Sequence, residues 1–343
     1  MKISDYYYEL PDSLIADRPP AVRGTSRLLV LDRPSGHIDD RCYSDVVEYC
    51  SPGDVVVLND TKVIKARLKT VKENGAVREL VILEKHSFDS DWHRHRVLYH
   101  GKLSKGDSLT VCGSDHTIMV DLIEGGGVAQ VRCDIDLLQL ANKFGNVPLP
   151  PYMHRDAEQS DVDRYQTIWA EKAGSVAAPT ASLNMTNDII DRLKQKGVNV
   201  VRITLHVGLG TFLPIRTDNV EDHHMHQEYF EISNKAANTI RSAKNSGHKI
   251  IAVGTTVART LEYSCEQIMC AEGDISGEAD IFIYPGYNFK MIDILLTNYH
   301  APKSTVLMLT AAFAGWDRLL PAYRHAVDEK YHFLSYGDSM LII

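Results

Sequence analysis

Val147-Pro-Leu-Pro-Pro-Tyr152 decides how the chain is divided. Proline lacks an amide hydrogen and has a fixed φ, so this cluster cannot continue a helix or a central strand and reads as a boundary. On its N-terminal side, from about Val63 to Val131, short strands are broken by Asn74-Gly75, Lys105-Gly106-Asp107, Gly113-Ser114 and Gly125-Gly126-Gly127. That rhythm, without helix-length amphipathic segments, predicts an antiparallel β module of small-barrel type. On its C-terminal side strand and helix alternate. Thr186 reads as the N-cap of a helix with Ile189, Ile190 and Leu193 on one face, closed by Gly197. Further out come a strand over Val198–Val207, a helix from about Lys235 to Gly247, and a strand at Lys249–Val253. A helix over Val257–Cys270, strands at Asp280–Ile283 and Ile292–Leu296, and helices near Thr305–Ala314 and Leu320–Tyr331 follow. Before the barrel, Ser26–Leu31 and Asp54–Leu58 are short β-rich runs. The alternation predicts an α/β fold with a helix-covered, mostly parallel sheet.

Composition agrees with this. The chain has 343 residues, 44% hydrophobic and 24% charged; its apolar content is too high and its charge too mixed for a disordered chain, and its length suffices for about two domains. No apolar run reaches the roughly 18 residues of a membrane span; the nearest is Val306–Trp316. The first residues, with Asp5, Glu9, Asp12 and Asp17, lack a basic start and apolar stretch, so a cytoplasmic location is expected. Six scattered cysteines form no Cys-x-x-Cys pair and read as reduced, mostly buried thiols. A net charge of −8 excludes a nonspecific DNA coater. Lys62 to Lys105, however, holds eleven basic residues against five acidic ones, with His86, Trp92, His93, His95, Tyr99 and His100 among them. Such a stretch suits either a solvated sheet surface or a face for phosphates and unstacked bases.

Parallel sheets place ligands beyond the carboxyl ends of their strands. Four such junctions carry unusual residues: Thr204–Phe212, with His206, Gly208 and Gly210; Ala252–Thr256, with Gly254, Thr255 and Thr256; Leu296–Ser304, with Asn298 and His300; and the small-residue run Gly174–Ser182, with Ala178, Pro179 and Thr180. A helix opening at Gly254 offers free amides and two hydroxyls to an anion or a ribose, or is simply capped by them. His223-His224-Met225-His226-Gln227-Glu228 is the densest titratable cluster. Strand alternation would point His224 and His226 the same way, as a metal would need, but acid–base work by an imidazole and a carboxylate fits better.

Read as an ordered set, these segments are specific. To them are added Tyr8-Glu-Leu-Pro11, Leu14-Ile-Ala16, Ser26-Arg-Leu-Leu29, Leu58-Asn-Asp-Thr61, Arg164-Tyr-Gln-Thr167, Arg259, Ile283-Tyr-Pro-Gly286 and Ser335-Tyr-Gly-Asp338. Over nearly its whole length the chain resembles the S-adenosylmethionine:tRNA ribosyltransferase-isomerases of the queuosine pathway. The resemblance implies that an α/β catalytic domain, residues 1–62 and 151–343, is interrupted by an inserted antiparallel β-barrel domain, residues 63–150. It implies transfer and isomerisation of the ribosyl part of S-adenosylmethionine onto 7-aminomethyl-7-deazaguanine at the wobble position of a tRNA anticodon. Epoxyqueuosine forms, and adenine and methionine leave.

On that resemblance His206, His226 and Glu228 are the candidate acids and bases, and His300 with Asp338 orients an acid or contacts the nucleobase. Ala178, Pro179, Thr180, Gly208, Gly210, Gly254, Thr255, Thr256 and Asn298 are expected to bind S-adenosylmethionine. Lys62, Arg67, Lys69, Lys72, Arg94 and Arg96 are expected to meet RNA phosphates. Neither a metal, a membrane nor an obligate protein partner is expected, and the chain is expected to be a monomer. Two alternatives stay open: the same fold acting on a free small-molecule amine, and a catalytically silent tRNA-binding homologue. The second is raised by Asn184, which stands in Ala181–Thr186 where the family usually has histidine and cannot shuttle a proton. Lys62 likewise replaces a usual arginine, keeping charge but losing the bidentate fork.

Overall fold

Residues 1–87, 91–208, 210, 215, 217–270 and 272–343 are described by the structure, a computed structural model. The chain opens with β1 (Arg27–Leu31), β2 (Ile38–Cys42), β3 (Val55–Asn59) and the short β4 (Thr61–Val63). Then come β5 (Arg67–Lys72), β6 (Val77–Ile82), β7 (Arg94–Tyr99), β8 (Ser108–Val111), β9 (Thr117–Gly125), β10 (Val128–Cys133) and helix α1 (Leu137–Phe144). Past the prolines lie α2 (Gln159–Arg164), β11 (Lys172–Ser175), α3 (Asn187–Gln195), β12 (Asn199–Leu205), β13 (Glu228–Ile232) and α4 (Asn234–Asn245). The chain closes with β14 (Ile250–Val253), α5 (Thr255–Tyr263), α6 (Cys265–Cys270), β15 (Ile275–Ala279), β16 (Ile294–Asn298), α7 (Thr305–Ala314), α8 (Trp316–Asp328) and β17 (Ser339–Ile342).

The large sheet runs β15-β13-β12-β3-β14-β16-β17-β1-β2. Its centre, β12-β3-β14-β16, is parallel. β13 and β15 extend one side antiparallel, while β17 joins the other antiparallel to β16 and parallel to β1. β3, β14 and β16 are buried along their whole length and mostly apolar, as strands covered on both faces are, whereas β12 leaves Asn199 and Arg202 exposed at its start and is buried only from Ile203. Val55 and Val57 of β3 enter the core formed with α4, α5, α7 and α8, whereas Val56 and Leu58 enter a second core under α3. Thr186 caps α3 as its sequence indicates, its hydroxyl accepting from Ile189 N at 3.3 Å.

β5 to β10 close into a six-stranded antiparallel barrel, β10-β7-β6-β5-β8-β9. Along β5, Leu68 and Thr70 point inward and Lys69 outward. The barrel has its own core, which includes Leu80, Val97, Leu109 and Val131 and is plugged by Leu137 and Leu140 of α1.

Three local expectations shift. The helix over Val257–Cys270 begins earlier, at Thr255, and breaks at Ser264, whose hydroxyl bonds back to Thr260 O at 2.6 Å and competes with the helix ladder. The strand expected at Asp280–Ile283 lies instead at β15, because the Ile281 carbonyl is taken by the Arg259 guanidinium at 3.0 Å rather than by a ladder. α8 starts at Trp316, directly after Gly315, whose φ of 82° turns the chain out of α7. All six cysteines are free thiols, but only Cys50 and Cys133 are buried, so the expectation of mostly buried thiols does not hold. Among the described residues, no helix is long and apolar enough to cross a membrane.

Candidate active site

Because β12, β3, β14 and β16 are parallel, their carboxyl ends open on one edge of the sheet. There a cavity of about 160 Å³ lies between the start of α5, the β16–α7 loop, the Ala177–Ala181 run, and Tyr152 with Leu334 and Ser335. Ala178, Pro179, Thr180, Gly254, Thr255, Thr256, Asn298 and His300 line it together, as the sequence suggested. Gly254 sits at φ 99°, a conformation that turns β14 directly into α5, and its N–H bonds Leu296 O at 2.7 Å. No side chain caps α5 among the described residues, so its first amides are available to an anion or a hydroxyl. The Thr256 hydroxyl and the Asn298 side-chain oxygen are buried without a partner among the described residues. Buried polar atoms are normally paired, so such orphans beside a cavity mark a place for a ligand.

His300 presents its imidazole to this cavity with Nε2 at 2.9 Å from Thr297 Oγ1. Burial drives its pKa down to about 3, so the ring is neutral. Asp338 is not beside it. The Asp338 carboxylate accepts from Arg27 N at 2.7 Å and His332 N at 2.8 Å, tying β1 to the chain before β17. The expected His300–Asp338 couple is therefore absent, because both carboxylate oxygens are engaged elsewhere.

A smaller cavity of about 30 Å³ shares the Thr255–Thr256 wall and is lined also by Glu228, Arg259, Phe282 and Thr305. Glu228 is buried, ion-paired with Arg259, and accepts the Gly208 N–H at 3.0 Å. Arg259, buried itself, also donates to the carbonyls of His226 and Ala279. His226 is exposed and packs on Gly210, where a Cβ would lie 2.1 Å from its ring. Gly208 and Gly210 thus admit Glu84 and His226 rather than lining the main cavity. His224, His226 and Glu228 do not share a strand face, since β13 starts only at Glu228. Among the described residues no three His, Cys, Asp or Glu side chains are grouped to hold a metal ion.

His206 is set back from the cavity, which its neighbour Val207 lines. Its Nδ1 lies 2.8 Å from Thr61 Oγ1, and burial together with nearby Lys85 pushes its pKa down to about 4. Asn184 is buried and also outside the cavity lining. Leu209, Thr211 and Phe212 of the Thr204–Phe212 stretch lie outside the described residues, as does Asp89 of the basic stretch.

The barrel cations do not act as one group. Lys62, Lys69 and Arg94 are exposed, and Arg96 is half-buried. Arg67 pairs with Glu79 at 3.1 Å and Lys72 with Asp107 at 2.8 Å, so part of the local positive charge is compensated within the barrel. The intervening rings divide: His95 is buried and stacks on Trp92 at 4.6 Å and His86 is buried between carboxylates, while His93 and His100 are exposed. Sequence reasoning missed Tyr152, Val207, Thr297 and Ser335 in the cavity wall and Arg259 as the partner of Glu228. Tyr152 and Ser335, whose hydroxyls bond each other, come from segments 183 residues apart, a closeness no local pattern signals.

Comparison with known proteins shows the family. The family described as queuosine biosynthesis protein matches residues 3–342. A curated S-adenosylmethionine:tRNA ribosyltransferase-isomerase of Pelodictyon phaeoclathratiforme is 53% identical, with all of both chains covered. Its counterpart in Halothermothrix orenii is 45% identical, again over all of both chains. The crystal structure of an S-adenosylmethionine tRNA ribosyltransferase from Thermotoga maritima superposes with a TM-score of 0.56 at 32% identity, covering 99% of this chain and 100% of that one. With the family matched from end to end, the chain belongs to the queuosine biosynthesis proteins.

Proposed function

We propose that this chain is a transferase moving the ribosyl moiety of S-adenosylmethionine onto 7-aminomethyl-7-deazaguanine at the wobble position of tRNA. The group isomerises to give epoxyqueuosine, and adenine and methionine are released. The observation that carries this reading is the strand-end cavity itself. It joins the uncapped start of α5, the unpartnered Thr256 hydroxyl and Asn298 oxygen, and a wall of small residues at Ala177–Ala181. Such a lining fits a nucleoside: a flat surface for the base, and donors and acceptors for ribose hydroxyls or a carboxylate.

When bound, the sulfonium supplies acidity at the ribose 5′ carbon and a good leaving group. The protein then has to move protons and fix the reactants. His300, neutral and facing the cavity, is the imidazole placed to meet the nucleoside. His226 is exposed beside Gly210 and serves as the base for the 5′ proton. Glu228, paired with Arg259, holds the main chain at Gly208, and His206 and Asp338 stiffen the walls behind it.

Residues 63–150 act as the RNA-contacting insertion, with Lys69, Arg94 and Arg96, and Lys62 just before it, meeting phosphates and Arg67 and Lys72 contributing less because of their ion pairs. Residues 1–62 and 151–343 form the catalytic domain. The acceptor base sits in an anticodon loop, where unstacking costs little. We place the protein in the cytoplasm as a monomer. The test combines the chain, labelled S-adenosylmethionine and tRNA bearing the precursor base. Release of adenine with modified tRNA is the expected result. Tight tRNA binding without adenine release overturns the reading, and reaction with the free base instead of tRNA moves the acceptor assignment.

A further inference from the structure

The Tyr8-Glu-Leu-Pro11 segment has no part in the chemistry described so far, yet its tyrosine reaches the cavity loop from nearly three hundred residues away. The Tyr8 hydroxyl donates to the carbonyl of His300. On the other side of the same residue, the His300 N–H donates to the Tyr323 hydroxyl of α8 at 3.1 Å. Both tyrosines are buried, and their rings meet edge to face at 4.9 Å. The N-terminal segment also holds the loop three residues later, where Lys303, at φ 60°, donates its N–H to Tyr6 O at 3.1 Å.

His300 lies in the irregular connection between β16 and α7, where no ladder fixes its peptide groups. Packing alone would be served as well by phenylalanine. A buried hydroxyl costs stability unless bonded, so two tyrosine hydroxyls converging on one residue's main chain point to a demand for placement. What they place is a side chain tied at one ring nitrogen to Thr297 and lying against the cavity.

We infer that Tyr8 and Tyr323 are positioning residues for the reaction, clamping the main chain of His300 so that its imidazole keeps its place against the bound nucleoside. The inference rests on the reading above that His300 touches the reactants. A small displacement of a reacting group can cost on the order of 10²-fold in rate.

The experiment is a double-mutant cycle on adenine release, with kcat, KM for S-adenosylmethionine and thermal unfolding recorded for Tyr8→Phe, Tyr323→Phe, His300→Ala and the pairwise combinations. Each phenylalanine variant is expected to lower kcat by about tenfold or more with little change in KM. In the His300→Ala background, which keeps the main chain but has no imidazole to place, either Phe substitution is expected to cost nothing further. Losses of equal size in both backgrounds, or full kcat in both Phe variants, overturn the inference while leaving the proposed function standing. A normal rate for His300→Ala alone removes His300 from the reaction, and the inference falls with it. Tyr323→Phe carries the cycle should Tyr8→Phe unfold.

Discussion

Thr256 places beside the cavity a buried hydroxyl that costs the fold and is available to the proposed ligand. That hydroxyl has no partner among the described residues and lies in the uncapped first turn of α5. Thr256→Val removes that hydroxyl while keeping the shape. The free protein is expected to melt at the same or a higher temperature, since an unpaired buried hydroxyl costs roughly 1–3 kcal/mol. Affinity for S-adenosylmethionine, read by calorimetry, is expected to fall about tenfold, the loss of one hydrogen bond; unchanged affinity would take Thr256 out of the site. The buried histidines give a second residue-scale expectation. His206 titrates near 4 and His300 near 3, both pushed down by burial. An unfolded histidine takes up a proton near pH 6.5, so the unfolded chain binds more protons below that point. The stability these neutral rings contribute is present above about pH 6.5 and is lost as the pH falls toward their native values. Urea midpoints of the wild type are expected to drop between about pH 7 and pH 5 more than those of His206→Gln, whose side chain does not titrate. That Thr256, Asn298 and His300 come together was legible in sequence because each lies at or just past the end of a strand. Tyr8 and Tyr323 were not, because their hydroxyls act on a main chain far away in sequence.

Among the elements, the barrel shows how far composition reads as function. The alternation along β5 and β7 was enough to foresee outward cations, and Lys69 and Arg94 are indeed exposed. What the pattern could not foresee is cross-strand pairing: Glu79 opposes Lys69 in register yet bonds Arg67, and Asp107 takes Lys72. The cations therefore differ in consequence. Charge reversal at Lys69 together with Arg94 is expected to weaken tRNA binding and flatten its log–log salt dependence by about one per lost phosphate contact. Lys72→Glu is expected to lower the melting temperature instead, because it leaves Asp107 facing a like charge. An unchanged salt slope in the Lys69/Arg94 variant would move the RNA face off these strands. The same limit explains β13 and β17. Both are short, and they are placed by antiparallel partners distant in sequence, so the parallel centre of the sheet was readable and its antiparallel flanks were not.

In the whole molecule, the loop after β6 of the barrel meets the α/β part, and a buried histidine sits at that contact. His86, in the loop after β6, has Nδ1 at 2.9 Å from Glu278 on β15 and Nε2 at 3.5 Å from Glu84. Glu84 in turn fills the space that a side chain at Gly208 would need, 2.6 Å from where its Cβ would stand. The main chain joins nearby, Lys85 N to Gly174 O at 2.8 Å and Ile64 N to Ser175 O at 2.9 Å. Burial works against a charge on His86, but the hydrogen bonds and charges of Glu84 and Glu278 outweigh it and raise the pKa above its ordinary value. A raised histidine pKa stabilises the fold fully below the unfolded value of about 6.5, and the contribution disappears as the pH climbs through the native pKa. This is the opposite sign to His206 and His300, so the two kinds of histidine define the acid and alkaline flanks of one stability plateau. Between about pH 6 and pH 9 the wild type is expected to lose more melting temperature than His86→Gln does, and moderate salt is expected to leave that difference nearly intact because the pair is buried. Equal pH slopes for the two proteins would show that the barrel is held by its main-chain hydrogen bonds and apolar contacts alone, with the Glu84–His86–Glu278 contact contributing no charge-dependent stability.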